Sequence, residues 1–290
     1  MSILELVADR QAMWSATANS LRSKVDFARK ASFFLAIAGA LVASLASAQA
    51  ADGPVRTSLI SVGAVLLAIT GIIGSRVLTS ESIRQQIRAR AASEALKREA
   101  FLFAAAAGDY ADRATSKEKL NAAMERIDGE VADLTLFQKP AKSKGTSPRS
   151  ELSFTDYLKS RVDVQLAFYD NRSRKYSDRS KLLHIAEFSL AFLAAILTAL
   201  AGALGKGSFD IAAIVGVLTT CAASVMAHLQ ASRYDDLIVS YRAAARKLAN
   251  LKATTDESTA TVGAFAKTAE EILAAETNSW QAMWSSNPTT

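Results

Sequence analysis

The chain has 290 residues, half of them hydrophobic, and its 34 basic and 28 acidic side chains give a formal net charge of +6. Only four residues are proline and 7% are aromatic, which favours helix throughout because helix breakers and typical strand formers are scarce. Two histidines and one cysteine exclude a disulfide framework, a zinc-type site and most histidine-based catalysis.

Two long apolar segments in the first half of the chain predict a membrane hairpin. They cover residues 32–50 and 58–78, and each is close to the ~20 residues that cross a ~30 Å hydrocarbon core. Both are apolar on every face, unlike a soluble helix with one apolar stripe. Gly53 and Pro54 supply turn chemistry between them. Residues 79–107 contain no Gly or Pro, so we expect span two to continue as one helix.

The segment 138–150 is rich in Lys, Ser, Pro and Gly and predicts a linker between two halves of the chain. The first half, 1–137, and the second half, 151–290, each read as helix, span, span and helix. Ahead of the third span, side chains spaced by four and three residues predict a helix with one continuous stripe. The stripe consists of Leu158, Val162, Gln165, Tyr169, Arg172 and Tyr176.

Residues 182–204 and 209–229 are the second pair of apolar segments and predict a second hairpin. Gly205, Lys206 and Gly207 provide its turn. Span four is expected to continue as one helix from Gln230 to about Ala253, again because no breaker intervenes. The sequence therefore predicts an all-α integral membrane protein with four transmembrane helices, in two hairpins, and long cytosolic helices that form a bundle.

Basic residues accumulate on one side of the predicted spans. In the two short loops, by contrast, Asp52 balances Arg56, and Lys206 is followed closely by Asp210. The positive-inside rule then predicts a multi-pass inner-membrane protein with both termini and the central region in the cytoplasm. Anionic lipid explains the basic excess beside the membrane, so the lipid bilayer is the expected partner and nucleic acid is not. The basic residues are Arg22, Lys24, Arg29, Lys30, Arg76, Arg84, Arg88, Arg90, Arg172, Arg174, Lys175, Arg179, Lys181 and Arg233.

Enzyme signatures are missing from the sequence. It contains no Walker lysine loop, no dinucleotide-binding glycine pattern after a strand and no nucleophile elbow. We therefore expect no enzymatic activity, and we predict no catalytic residue, no cofactor and no metal site.

Three ionisable residues are expected at a similar depth near the cytosolic face: His184, Glu187 and His228. His184 and Glu187 are three residues apart and share one side of their helix. Ionisable groups inside spans are functional candidates, so this cytosolic-mouth cluster could act as a pH-sensitive gate or a cation-binding ring. The alternative is that all three side chains extend into the headgroup region at little cost.

Small residues recur every four positions in three of the spans, where they let helix backbones approach closely in lipid. The contacts could lie within one chain or between subunits. Thr219 and Thr220 could line a polar path, or their hydroxyls could bond back to their own helix. The rows are Ala36, Ala40, Ser44 and Ala48; Ala195, Ala199 and Ala203; and Gly216, Thr220 and Ser224.

The helix-face patterns resemble those of the SLATT proteins, which are two-transmembrane effector domains associated with nucleotide-signalling bacterial conflict systems. Residues 88–97 and 105–110 resemble the post-membrane helix, and the second half resembles a further copy. Phe168 stands where tryptophan is expected, and Thr277 where asparagine is expected. The resemblance implies an oligomeric, pore-forming effector and supplies no catalytic residue. In the second half it is carried by Tyr157–Arg161, Gln165, Phe168, Tyr169, Tyr176, Tyr234, Tyr241, Leu248, Glu270–Leu273, Glu276 and Trp280.

Two functions remain open at this point. The first is a homo-oligomeric pore or ion channel gated through its cytosolic helices, for which inorganic ions or a cytosolic signalling ligand are the further candidate partners. The second is a non-conducting membrane scaffold or sensor that docks a soluble cytosolic partner. A transporter is less favoured because no span is interrupted by proline.

Overall fold

The computed structural model describes residues 1–47, 53–141, 145–204, 211–256 and 258–285. Every regular element within these ranges is helical, which confirms the predicted all-α fold. The principal helices are α1 (Ile3–Ser47), α2 (Pro54–Arg76), α3 (Ser80–Ala104), α4 (Ser116–Glu130), α5 (Phe154–Tyr157), α6 (Asp163–Leu204), α7 (Ile211–Ser232), α8 (Tyr234–Thr254) and α9 (Val262–Ser285).

The chain divides into two compact units, and each unit draws on both halves of the sequence. Helices α1 and α6 contribute residues to both. The bundle unit comprises residues 1–23, 80–174 and 237–290, and the span unit comprises residues 24–79 and 175–236.

The span unit contains the apolar parts of α1, α2, α6 and α7. By length and composition, all four are able to cross a membrane, as the sequence predicts. The hairpin residues Asp52 and Gly205–Lys206–Gly207, and also Ala48, lie outside the described residues.

The predicted continuous helices after spans two and four are wrong. Helix α2 ends at Arg76 and α3 begins at Ser80, while α7 and α8 are separated at Arg233. At the first junction, Ser and Thr precede Glu81 in the first turn of α3, and such residues favour a new helix start. At the second, Arg233 has a φ of +46°, outside the helical region.

Helices α1 and α2 cross closely at two glycines. A Cβ atom on Gly63 would lie 3.5 Å from the carbonyl oxygen of Gly39, and a Cβ on Gly39 would lie 3.0 Å from the Leu67 side chain. Ser44, from the predicted small-residue row, instead reaches α7, where its hydroxyl donates to the Ala213 carbonyl at 3.3 Å. Span one therefore contacts span two and span four through different small residues.

The bundle unit packs α3 mainly against α9 and α4. Trp14 on α1 is fully buried, and its indole nitrogen donates to Asp128 of α4 at 2.8 Å. Arg10 pairs with the same carboxylate at 3.3 Å. Burial of large apolar side chains supplies the main stabilisation of such a unit. Its largest fully buried apolar and aromatic side chains are Val7, Trp14, Leu96, Phe101, Leu120, Ile127, Leu134, Tyr157, Tyr169 and Leu248.

A π-helical turn, Leu158–Val162, joins α5 to α6. Leu158, Val162 and Tyr169 of the predicted stripe are buried, and so is Arg161. The wider π-helical turn changes the angular spacing of side chains relative to an α-helix. Arg161 is therefore brought to the buried side together with its apolar neighbours.

The described residues of the predicted linker 138–150 pack on α1. The Lys139 backbone N–H donates to Thr17 Oγ1 at 3.0 Å. The Ser147 hydroxyl donates to Gln11 Oε1 at 3.2 Å. These contacts tie the segment to the interior of the bundle unit.

Candidate functional site

One face of α7 consists of small residues between the Ala212 and Ala227 positions. Between these two positions, the exposed residues of α7 follow the i, i+3 and i+4 spacing of a single helix side. Each is small, and two carry hydroxyl groups. We call this set the α7 face: Ala212, Gly216, Thr219, Thr220, Ala223 and Ala227.

The other three spans expose large apolar side chains, as expected for surfaces that meet lipid. Examples are Phe34 on α1, Val65 on α2 and Phe192 on α6, which are 65%, 57% and 58% exposed. Helix α7 contributes no exposed large hydrophobic side chain over residues 211–232. Small faces of this kind allow close helix approach or line a pathway.

The hydroxyl groups at the α7 face donate to carbonyls of their own helix. Thr219 donates to Val215 and Gly216 at 3.0 Å, and Thr220 donates to Gly216 at 2.8 Å. Ser224, beside the face, donates to Thr220 at 2.8 Å. Each hydroxyl oxygen keeps acceptor capacity, so the face offers weak dipoles and no fixed charge.

Two of the predicted mouth residues, His184 and His228, have partners outside their own set. His184 Nε2 lies 3.8 Å from Asp235 Oδ2, and the Ser180 hydroxyl donates to Asp235 Oδ1 at 2.8 Å. Within the described part of the chain, no hydrogen bond, ion pair or ring contact joins any two of His184, Glu187 and His228.

His228 lies in an aromatic setting. Its ring centroid is 5.3 Å from that of Phe33 on α1 and 6.5 Å from that of Tyr234. Tyr234 in turn contacts Tyr176, with centroids 5.5 Å apart. The sequence did not predict this aromatic cluster or the contact of His184 with Asp235, because the residues in contact come from different helices. The only local signal was the acidic first turn of α8.

The bundle unit holds a buried polar pair that the sequence did not reveal. Arg161 Nε and Nη2 donate to the two carboxylate oxygens of Glu270 at 2.7 and 2.8 Å. The Tyr157 hydroxyl donates to Glu270 at 3.1 Å, and Arg161 lies 4.7 Å from the Phe101 ring centroid. Burial alone would lower the pKa of Arg161, but the Glu270 carboxylate raises it above its ordinary value. Arg161 therefore stays charged although it is buried.

Helix α9 also carries a perturbed carboxylate. Burial raises the pKa of Glu276 to about 7, with Glu94 acting in the same direction and Arg90 opposing it. The Tyr169 hydroxyl lies 3.5 Å from this carboxylate. Among the described residues, no group of three His, Cys, Asp or Glu side chains could hold a metal ion.

Comparison with known families gives one match in each half of the chain. Residues 157–280 match the SMODS and SLOG-associating 2TM effector domain 1, SLATT_1. Residues 12–118 match a family described as a protein of unknown function, DUF4231. No curated protein and no solved structure matches the chain. The matches confirm the predicted SLATT-like character and indicate a membrane effector.

Proposed function

We propose that this SLATT-like chain is a non-enzymatic, homo-oligomeric membrane pore whose cytosolic helical bundle controls its opening. The similarity to a 2TM effector domain supports a membrane effector. The observation that carries the pore itself is that α7 exposes no large apolar side chain over residues 211–232, whereas each of the other three spans exposes several.

A ring of copies would bring the α7 faces together around an axis. Selective pathways are built from polar groups repeated by symmetry, and one chain supplies only two exposed threonines on this face. Repeated around a ring, the Thr219 and Thr220 oxygens would form a weakly polar path for ions, while the large side chains of α1, α2 and α6 meet lipid.

We place the bundle unit, and with it both termini, in the cytoplasm of a cell with an inner membrane. The basic residues that flank the spans support this orientation through the positive-inside rule. Helices α1 and α6 each run without interruption and contribute residues to both units. We propose that α1 and α6 transmit a conformational change from the bundle unit to the spans. The chain is interrupted between α2 and α3 and between α7 and α8, so these pairs do not form continuous helices.

The gate is assigned to the cytosolic ends of the membrane-spanning parts of α6 and α7, where His184, Glu187 and His228 lie. Histidine side chains change charge in the physiological range, and a protonated His184 would be attracted to Asp235 across their 3.8 Å separation. If the gate lies here, Asp235→Asn will alter the pH dependence of open probability. An unchanged profile in both Asp235→Asn and His184→Ala would remove the gate from this position.

The pore is tested by single-channel recording of purified protein in planar bilayers, in a Cys221→Ala background. Ala223→Cys places a thiol on the α7 face, and a hydrophilic thiol reagent should then reduce the current. Ala222→Cys, on the neighbouring buried side of the same helix, and Phe192→Cys, on a lipid-type face, are the controls. Block of the current at all three positions, or at none of them, would contradict the proposal that α7 lines the pore.

A non-conducting scaffold is the second candidate. It is favoured by the hydroxyl bonds that return to the helix, because such a face can serve purely for packing. Absence of current in reconstituted oligomers of wild-type protein, with and without cytosolic extract, would favour the scaffold over the pore.

A further inference from the structure

A groove runs between α3 and α9 in the bundle unit. It encloses a cavity of about 100 Å³ whose wall includes the buried Arg161–Glu270 pair. The π-helical turn Leu158–Val162 delivers Arg161 to this wall, and π-helical turns occur frequently at functional sites. Other lining residues are Glu94, Arg98, Ala274 and Asn278.

Four charged side chains line this cavity: Arg98, Arg161, Glu94 and Glu270. Glu270 is paired with Arg161 at 2.7 Å, and Glu94 is paired with Lys97, which lies outside the lining, at 3.3 Å. Among the described residues, Arg98 is the charged lining residue that has no ion-pair partner.

Arg98 also has an unmet hydrogen-bonding requirement. Its Nε atom is buried, and no acceptor contacts it within the described part of the chain. A buried donor without a partner costs free energy, more so when it is charged. Guanidinium groups match phosphate and carboxylate oxygens through paired N–H donors. An oxyanion in the groove would supply both an acceptor for the Nε atom and an ion-pair partner for Arg98.

Arg98 borders a second cavity, of about 370 Å³, on its other side. Here Lys267 and Glu271 of α9 face Asp109, and the charges of this cavity balance when Arg98 is included. The second cavity therefore adds room and polar contacts rather than further positive charge. A ligand held by Arg98 could extend its remaining atoms into this space.

We propose that the α3–α9 groove binds a small oxyanion ligand, carrying a phosphate or a carboxylate group, with Arg98 as the anchoring cation. The site lies within the bundle unit and does not depend on conduction through the spans. Its test is a binding measurement, so a failure here and a failure of the pore are separate results.

The experiment is isothermal titration calorimetry on the purified full chain in detergent, at constant ionic strength and low millimolar ligand. Inorganic phosphate and pyrophosphate probe the phosphate source, succinate probes the carboxylate source, and chloride is the control anion. Low ligand concentration matters because phosphate at high concentration stabilises proteins by exclusion from their surface. Saturable binding of at least one oxyanion is expected.

Two variants test the position of the site. Arg98→Met removes the cation and should weaken binding by about tenfold to a hundredfold, the effect of losing charged hydrogen bonds. Arg84→Met is the matched control, because Arg84 lies on the same helix, is exposed and pairs with Glu81; its binding should be unchanged. Ala274→Leu fills the first cavity without changing charge and should also abolish binding.

The proposal is overturned if no oxyanion binds to wild-type protein, or if Arg98→Met and Arg84→Met bind equally well. Binding that survives Ala274→Leu would also overturn it, since the ligand would then lie elsewhere. Circular dichroism of each variant establishes that loss of binding is not loss of fold. A variant that loses its helical signal is replaced by Arg98→Lys, which keeps the charge and should retain weaker binding.

Discussion

Arg161 and Glu270 form a bidentate ion pair, with distances of 2.7 and 2.8 Å, and their side chains are only 5% and 1% exposed. Such a pair adds little stability compared with an apolar replacement, but losing one partner leaves a buried charge without compensation. The pair is therefore a sensitive point in the bundle unit. It also connects the π-helical turn Leu158–Val162 to the middle of α9.

The first prediction concerns this pair. Glu270→Gln should lower the free energy of unfolding of the bundle by about 3–5 kcal/mol, because Arg161 then remains charged and buried. The double variant Arg161→Met with Glu270→Leu should recover most of the loss. All three tryptophans belong to the bundle unit, so intrinsic fluorescence during urea titration reports this unit specifically.

Asp170→Asn is the control for the ion-pair prediction. Asp170 pairs with Arg174 on an exposed helix surface, with side chains 56% and 74% exposed. Surface pairs of this kind contribute about 0–1 kcal/mol. A loss in Glu270→Gln no larger than in Asp170→Asn would contradict the predicted cost of the unpaired buried charge.

The second prediction concerns Gly263 at the start of α9. A Cβ atom there would lie 2.7 Å from the Ala106 carbonyl oxygen and 3.3 Å from that of Ala105. These are backbone atoms in a turn where Ala106 has a φ of +51°, so they cannot rotate away. Gly263→Ala should therefore lower bundle stability by about 1–3 kcal/mol.

Gly129→Ala provides the opposite case in the same unit. Gly129 lies in α4, and a Cβ atom there meets nothing within 4 Å. Alanine is favoured over glycine within a helix by about 1 kcal/mol, so this variant should be neutral or more stable in the same urea titration. Equal destabilisation in both variants would show that the close approach at Gly263 is not the cause.

The spans could be predicted from the sequence because a lipid environment imposes a local requirement, about 20 consecutive apolar residues. The helix junctions could not, because Arg233 leaves the helical region without any glycine or proline. The Arg161–Glu270 pair joins residues 109 positions apart, and no local pattern specifies such a partner. The same limit applies to His184 with Asp235, whose contact depends on how α6 packs beside α8.

The third prediction concerns Glu276 and pH. Its pKa is raised by burial from an ordinary value of 4.5 to about 7. Between these values the folded chain retains a proton that the unfolded chain has lost, so stability falls as the pH rises towards and through 7. Glu276→Gln should remove this dependence and raise bundle stability at pH 8 by on the order of 2 kcal/mol.

Thermal unfolding followed by tryptophan fluorescence at pH 5.5 and pH 8 checks the role of Glu276. The wild-type midpoint should fall over this interval by more than that of Glu276→Gln. Glu271→Gln, an exposed carboxylate on the same helix, is the control and should behave like wild type. Identical pH profiles in wild type and Glu276→Gln would contradict the raised pKa.

The fourth prediction concerns topology. In a Cys221→Ala background, cysteine at Asp52 or Lys206 should react with a membrane-impermeant thiol reagent added outside intact cells, because both positions lie in the short outer loops of the positive-inside assignment. Cysteine at Ser143 should react only after the cells are opened. Labelling of Ser143→Cys in intact cells would reverse the orientation and with it the cytoplasmic placement of the bundle.

The fifth prediction concerns assembly through the α7 face. With Cys221 replaced by alanine, Ala223→Cys should form disulfide-linked dimers in membranes on mild oxidation, because a ring of copies with α7 facing one narrow axis brings the Ala223 positions of different subunits near one another. Val65→Cys is the control. Val65 lies near the middle of α2, as Ala223 lies near the middle of α7, and it is 57% exposed. Its side of α2, however, carries large apolar side chains. Efficient cross-linking of Val65→Cys with none at Ala223→Cys would move the subunit contact to α2 and leave the α7 face without a partner.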